Sequence, residues 1–296
     1  MQGFRLTDRD ITCFKEFFNY KALTATQLVN LELFPNEKKA RERLSMLHQE
    51  GYLDYCDKPF FGRGRPERLY YLKQKKANEI LQLLGYPHDE ACLMKPSAYS
   101  PLLLHQLAIT DFAICIRQAC KQSGYYEAKI IPEYKQLAGK VGKFKKSITQ
   151  SIVINGVDIE IIPDGLICLS RKQEAVKSLL FFEIYRGTQT LEGGKQSIRN
   201  KLEAYVAYWE QGLYKDFADL FSYDFKGFRV LLIVQPVSYL ENLKEICSQI
   251  APAGLFWLAL SEQISPATFF KPIWYVSGEE GLKALVRKAG NNEKTA

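Results

Sequence analysis

VDIEIIPDGLICLSRKQEAVKSLLFFEIYR, residues 157–186, holds two apolar runs, each ending at an acid. The first closes on the corner Pro163-Asp164-Gly165. The second, Leu179-Leu180-Phe181-Phe182, delivers Glu183 into apolar company. A carboxylate at the edge of an apolar strand is costly unless something cationic meets it. Two such acids on neighbouring strands are the arrangement with which a nuclease holds Mg²⁺. A nuclease fold that has lost its chemistry keeps the same pair.

Working outward, the flanking segments read as a mixed α/β sheet with helices on its faces. Residues 102–122 form a helix with Leu103, Leu104, Leu107, Ile114 and Cys115 among its packing residues, and with His105 and Asp111 as its notable polar positions. Residues 125–132 are a strand candidate and 135–146 a basic loop. Residues 148–154 turn at Asn155-Gly156 and pair with 157–162 as a hairpin. Gly193-Gly194 precedes a helix reaching about Gln211, with Ile198, Leu202, Tyr205, Val206 and Trp209 as its apolar stripe. FRVLLIV, residues 228–234, reads as a buried parallel strand. A helix over 239–250 and a strand over 255–260 follow, and the tail GNNEKTA is expected to be disordered.

The amino-terminal part has a different texture. Thr7 is a plausible N-cap, with Asp8 and Asp10 in the first turn and Ile11, Phe14, Phe17 and Phe18 at helical spacing. A shorter helix begins near Thr24, capped by Thr24 or Thr26 and packed through Leu28, Val29 and Leu31. Asn36 caps a third, on which Ala40, Leu44 and Leu47 must face inward and which Gly51 stops. Two short strands, 52–56 and 68–72, flank the loop DKPFFGRGRPE. Three helices and a basic hairpin are the winged helix-turn-helix arrangement, in which the third helix enters the major groove and the wing touches backbone or minor groove. Lys38, Lys39, Arg41 and Arg43 supply charge on the third helix, and Arg63, Arg65 and Arg68 on the wing. Winged helices also mediate protein contacts, but this charge distribution favours double-stranded DNA.

Three prolines and little periodicity mark residues 85–101. The expected organisation is therefore a winged helix over 1–85, a linker over 86–101, an α/β domain over 102–288 and a tail over 289–296. A further helix over 74–84 leads out of the first domain.

Composition excludes several classes. At 296 residues the chain is long enough for two domains, and 47% hydrophobic with 25% charged residues fits a globular protein. No apolar run approaches the ~20 residues that span a bilayer, and MQGFRLTDRD lacks a signal-peptide core, so the expectation is a cytoplasmic protein without a membrane partner. The seven cysteines (13, 56, 92, 115, 120, 168, 247) form no CxxC and sit mostly in apolar runs, as core residues in a reducing compartment do. His48, His88 and His105 have no zinc-ligand spacing. A nucleotide-driven motor is not indicated, because no GxxxxGK[ST] or GxGxxG occurs. Net charge is +7, concentrated in two runs: residues 58–76 carry seven Lys/Arg against Glu67, and 129–146 six Lys against Glu133.

Taken together, LTDRDITCFKEFFNYKALTATQLVNLELF, KKARERLSMLHQEGYL, HQLAITD, IIPDGLICL, FFEIYRGTQT and KLEAYVAYW, spread over residues 6–234, resemble the replication-relaxation family. That family is associated with plasmids and other mobile elements. The resemblance implies a role in their replication, mobilisation or its control, and a second half similar to the PD-(D/E)xK nuclease fold. It implies Asp164 and Glu183 as catalytic and Mg²⁺-binding residues. The Lys expected two positions after the second acid is Tyr185 here, which departs from the active pattern. Lys195 or Lys201 is then the candidate to supply the charge, and Asp111 a third acid. The chain reads either as a DNA-binding protein, as a Mg²⁺-dependent endonuclease or nickase, or as a platform recruiting a replication initiator or relaxase. A homodimer on a palindromic site is compatible with it. The plainer roles are a turn for Asp164 and a buried salt bridge, with Lys201 or Arg199, for Glu183.

Overall fold

The computed structural model describes residues 4–58, 66–73, 76–85, 101–133, 136–137, 145–146, 148, 150–154, 156–172, 174–187, 189–193 and 197–286. Arg63, Arg65, Asn155, Gly194, Lys195 and the expected tail over 289–296 lie outside them, as do residues 86–100 of the expected linker. In chain order the elements begin with α1 (Asp8–Tyr20), β1 (Ala22–Thr24), α2 (Ala25–Asn30), α3 (Glu37–Gln49), β2 (Leu53–Asp57), β3 (Arg68–Leu72) and α4 (Ala77–Leu84). Then come α5 (Pro101–Ser123), β4 (Tyr126–Pro132), β5 (Gln136–Leu137), β6 (Lys145–Lys146), β7 (Gln150–Ile154), β8 (Val157–Ile161), β9 (Gly165–Arg171) and β10 (Lys177–Tyr185). The chain continues through α6 (Ile198–Glu210), α7 (Ala218–Phe221), β11 (Phe228–Val234), α8 (Val237–Ile250), β12 (Phe256–Leu260), β13 (Pro272–Val276) and β14 (Leu282–Ala284). This is an α/β protein. It divides into two compact units, residues 1–114 with 132–147, and residues 115–131 with 148–296.

In the first unit the sequence states its helix starts clearly. Thr7 and Thr24 each close a capping box, with Asp10 and Gln27 returning to the cap backbone. Asn36 accepts from the Lys39 backbone N–H at 3.0 Å and so caps α3. Cys13, Phe14 and Phe17 of α1, Leu28 of α2, and Ala40, Leu44 and Leu47 of α3 are fully buried. Ile11 and Phe18, expected on the α1 stripe, are half-buried at its margin. The hairpin β2–β3 forms as expected, and β1 joins it in the antiparallel order β1-β3-β2.

The second unit is built on a seven-stranded sheet of order β14-β13-β12-β11-β10-β9-β4. β10 runs antiparallel to β9 and parallel to β11, and β11 runs parallel to β12. The FRVLLIV strand is thus parallel on both sides, which explains its unbroken apolar run. The expected hairpin is β7–β8, a separate two-stranded sheet. Leu179, Phe181 and Tyr185 of β10, Val230, Leu232 and Val234 of β11, and Leu258 and Leu260 of β12 share one core with residues of α6 and α8. On α6 the stripe is Ile198, Leu202, Tyr205 and Tyr208, whereas Trp209 is 40% exposed. Gly165 faces Phe182 in register, and a Cβ there would stand 2.2 Å from the Phe182 ring. Only glycine lets β9 begin this close to β10.

Candidate functional site

The basic side chains of α3 separate into two groups. Lys38, Lys39 and Arg41 are exposed while the other face of the helix is buried. Lys39 pairs with Glu42 at 2.9 Å and Arg41 with Glu37, both on the helix surface. Such exposed pairs are weakened by solvent screening and contribute little, so both cations can exchange a carboxylate for a phosphate at little cost. Arg41 and Arg68 border one cleft of about 530 Å³ with Thr26, Ser45 and Glu67. The Arg68 guanidinium lies 4.1 Å above the Tyr55 ring. Thr26 Oγ1 stands 3.0 Å from Glu37 Oε1 and 2.9 Å from Glu67 Oε1, so its single hydroxyl proton can serve either carboxylate.

Arg43 is placed differently. Its Nε donates to Asp10 Oδ1 at 2.9 Å, a second guanidinium nitrogen meets Asp10 Oδ2, and Nη2 also donates to the Arg5 carbonyl at 3.0 Å. The guanidinium carbon sits 4.9 Å over the Phe4 ring. Asp10 is fully buried. Burial alone would raise its carboxyl, but the bonds from Arg43 and Thr7 outweigh that and hold it below the ordinary value.

The second unit brings Asp164 and Glu183 to one place. Asp164 directly precedes β9, which pairs with β10 so that Gly165 stands opposite Phe182. Its Oδ2 accepts the Ile184 N–H at 2.6 Å. Glu183 accepts from Lys201 Nζ on Oε2 and from the Tyr205 hydroxyl on Oε1, each at 2.6 Å. Of the two basic partners weighed for Glu183, the structure selects Lys201; Arg199 instead bonds Glu192 and Gln249. Burial pushes the Glu183 carboxyl up to about 7, with Lys201 opposing the shift and Asp164 adding to it. Tyr185, on the same face of β10 as Glu183, has a buried hydroxyl with no hydrogen-bond partner among the described residues. Burial raises that phenol well above its ordinary value. The role of Tyr205 beside Glu183 was not foreseen from the stripe of α6; a tyrosine four residues after the candidate lysine is the signal that points to it.

This geometry does not fit a Mg²⁺ ion. Mg²⁺ requires hard oxygen ligands in near-octahedral array and keeps several of its waters. Here Asp164 is 6% and Glu183 2% exposed, and both Glu183 oxygens already hold donors. Asp111, the expected third acid, belongs to the first unit and accepts from Gln27 Nε2 at 2.8 Å. Among the described residues no cluster of three His, Cys, Asp or Glu side chains is arranged for a metal, and no helix is long and apolar enough to cross a membrane.

No curated protein and no solved structure matches the chain at a significant level. The replication-relaxation profile matches residues 18–222, more than half of the sequence, from within α1 to just past α7 and across both Asp164 and Glu183. The chain belongs to the replication-relaxation family, which associates it with the replication or mobilisation of plasmids or other mobile elements.

Proposed function

We propose that the first unit is a winged helix that binds double-stranded DNA, and that the chain serves plasmid or mobile-element replication, mobilisation or its control through that contact. In this reading α3 enters the major groove and the segment joining β2 to β3 lies along the backbone or minor groove. The order α1-β1-α2-α3-β2-β3, with its three-stranded sheet, supports it. The observation that carries it is the division on α3. Ala40, Leu44 and Leu47 are fully buried, while Lys39 and Arg41 hold side chains 61% exposed. Buried alanine and leucines fix the helix against the core, and the outward cations are then available for phosphates or base edges.

Most of the affinity would come from phosphates, with counterion release making it steeply salt-dependent. The test is fluorescence anisotropy of a labelled duplex across a salt series. Log affinity is expected to fall linearly with log salt, and Lys39→Ala with Arg41→Ala should flatten the slope by about 0.9 per lost contact. Absence of binding at about 50 mM salt would overturn the reading.

A further inference from the structure

The cleft bordered by Thr26, Arg41, Ser45, Glu67 and Arg68 carries more acid than a surface that only attracts DNA would need. Arg41, on its wall, pairs with Glu37 one turn earlier on α3. Glu67, also on its wall, lies 3.7 Å from the ammonium of Lys58, the residue after β2. Thr26 joins the two acids through its hydroxyl. The result is one chain of side chains, Lys58–Glu67–Thr26–Glu37–Arg41, in which each cation is covered by a carboxylate. A hydroxyl has a single proton, so while Thr26 serves one acid the other meets only a lone pair. The chain is under-bonded at its centre. Its acids also have water to move into, since the Glu37 side chain is 41% and that of Glu67 29% exposed.

We propose that this cleft seats one backbone phosphate of the duplex between Arg41 and Arg68, and that Glu37 and Glu67 are internal stand-ins for DNA phosphates, covering Arg41 and Lys58 until DNA displaces them. The proposal rests on the DNA-binding reading and adds to it a competing anion within the chain. A carboxylate and a phosphodiester each offer two oxygens to the guanidinium fork, so Arg41 can exchange one for the other without changing its geometry. Arg68, resting on the Tyr55 ring, is the second jaw, and the Thr26 and Ser45 hydroxyls are donors of the kind that meet phosphate oxygens. A phosphate arriving in the cleft repels both carboxylates, and the under-bonded Thr26 link yields first. The two acids therefore act against binding, although they lie among the residues that form the contact.

Anisotropy of a labelled duplex with the full chain tests this. Glu37→Gln and Glu67→Gln keep the side-chain shape, remove the charge and should each tighten binding about two- to fivefold, the range over which an exposed ion pair competes. The gain from Glu37→Gln should vanish in an Arg41→Ala background, and that from Glu67→Gln in a Lys58→Ala background. A gain that persists in those backgrounds is a bulk charge effect and overturns the proposal. Arg68→Ala should weaken binding, and unchanged affinity there overturns the seat. Inorganic phosphate should displace the duplex no better than NaCl of matched ionic strength; displacement beyond that would make the cleft a site for a free anion and overturn it too. Duplex binding by the unaltered protein with no gain in either glutamine variant sinks this proposal alone. Absence of duplex binding at about 50 mM salt sinks the DNA-binding reading together with it.

Discussion

Arg43 on α3 grips Asp10 in the first turn of α1, with Nε 2.9 Å from Oδ1. The pair joins segments 33 residues apart and withdraws one cation of the basic helix from solvent. Arg43→Ala leaves a buried carboxylate unpaired, which costs about 3–5 kcal/mol. Urea unfolding should show that loss, while the salt dependence of DNA binding keeps its slope. The reverse pattern is expected for Lys39 and Arg41. A flattened slope with unchanged stability for Arg43→Ala would contradict the assignment.

The same pair sets an acid limit. Because the Asp10 carboxyl is held below its ordinary value, the folded state binds its proton less readily than the unfolded chain. Its contribution is fully present above the unfolded value and is lost as pH falls through the folded one. Asp10→Asn should therefore be less stable than the unaltered protein at neutral pH, with the gap narrowing as the solution is acidified towards pH ~2. Denaturant midpoints measured at several acid pH values check it.

Glu183 has the opposite sign. Its folded value of about 7 lies above the ordinary 4.5, so the folded state holds the proton longer. The contribution is fully present below the unfolded value and declines as pH rises through about 7. At about 1.4 kcal/mol per unit, this amounts to roughly 3 kcal/mol across that window. Relative to Glu183→Gln, the unaltered protein should lose stability between those two values and level off above. A flat difference would show that Glu183 is charged throughout.

Tyr185→Phe removes a buried hydroxyl that has no partner among the described residues. An unsatisfied buried polar group costs about 1–3 kcal/mol, so the variant should be as stable as the unaltered protein or more so. A loss beyond about 1 kcal/mol in chemical denaturation would reveal a bond that the hydroxyl makes.

Supercoiled plasmid incubated with the protein and Mg²⁺ should stay intact, because Lys201 and Tyr205 occupy both Glu183 oxygens. The readout is the nicked fraction on a gel. Nicking that survives Asp164→Ala and Glu183→Ala points to a site elsewhere. Nicking abolished by both substitutions restores the metal-dependent reading of the pair.

Much of this was legible in the sequence because it is written locally. Asn36 and the Ala40, Leu44, Leu47 repeat specify α3 without help from the rest of the chain. Asp164 and Glu183 stand out because acids are rare at the ends of apolar runs. What was hidden is non-local. β1 has three residues, all buried, and so shows no alternation; only its pairing with β3 makes it a strand. β13 and β14 likewise escaped notice, being short strands whose partners lie in the fold. Charge runs look uniform on paper, and nothing near Arg43 shows that its partner is Asp10. Tyr205 reads as packing because its hydroxyl's destination is 22 residues away.

Hydrogen is the only substituent the backbone of residue 165 can carry while Phe182 keeps its place. Gly165→Ala would force the aromatic ring aside, and the displacement would be transmitted through the peptide to Glu183 on the next residue. A saturation screen across the two strands should therefore find this neighbour as intolerant as the acids themselves, although it bears no chemistry. Shape, one atom deep, guards the alignment of the charges beside it.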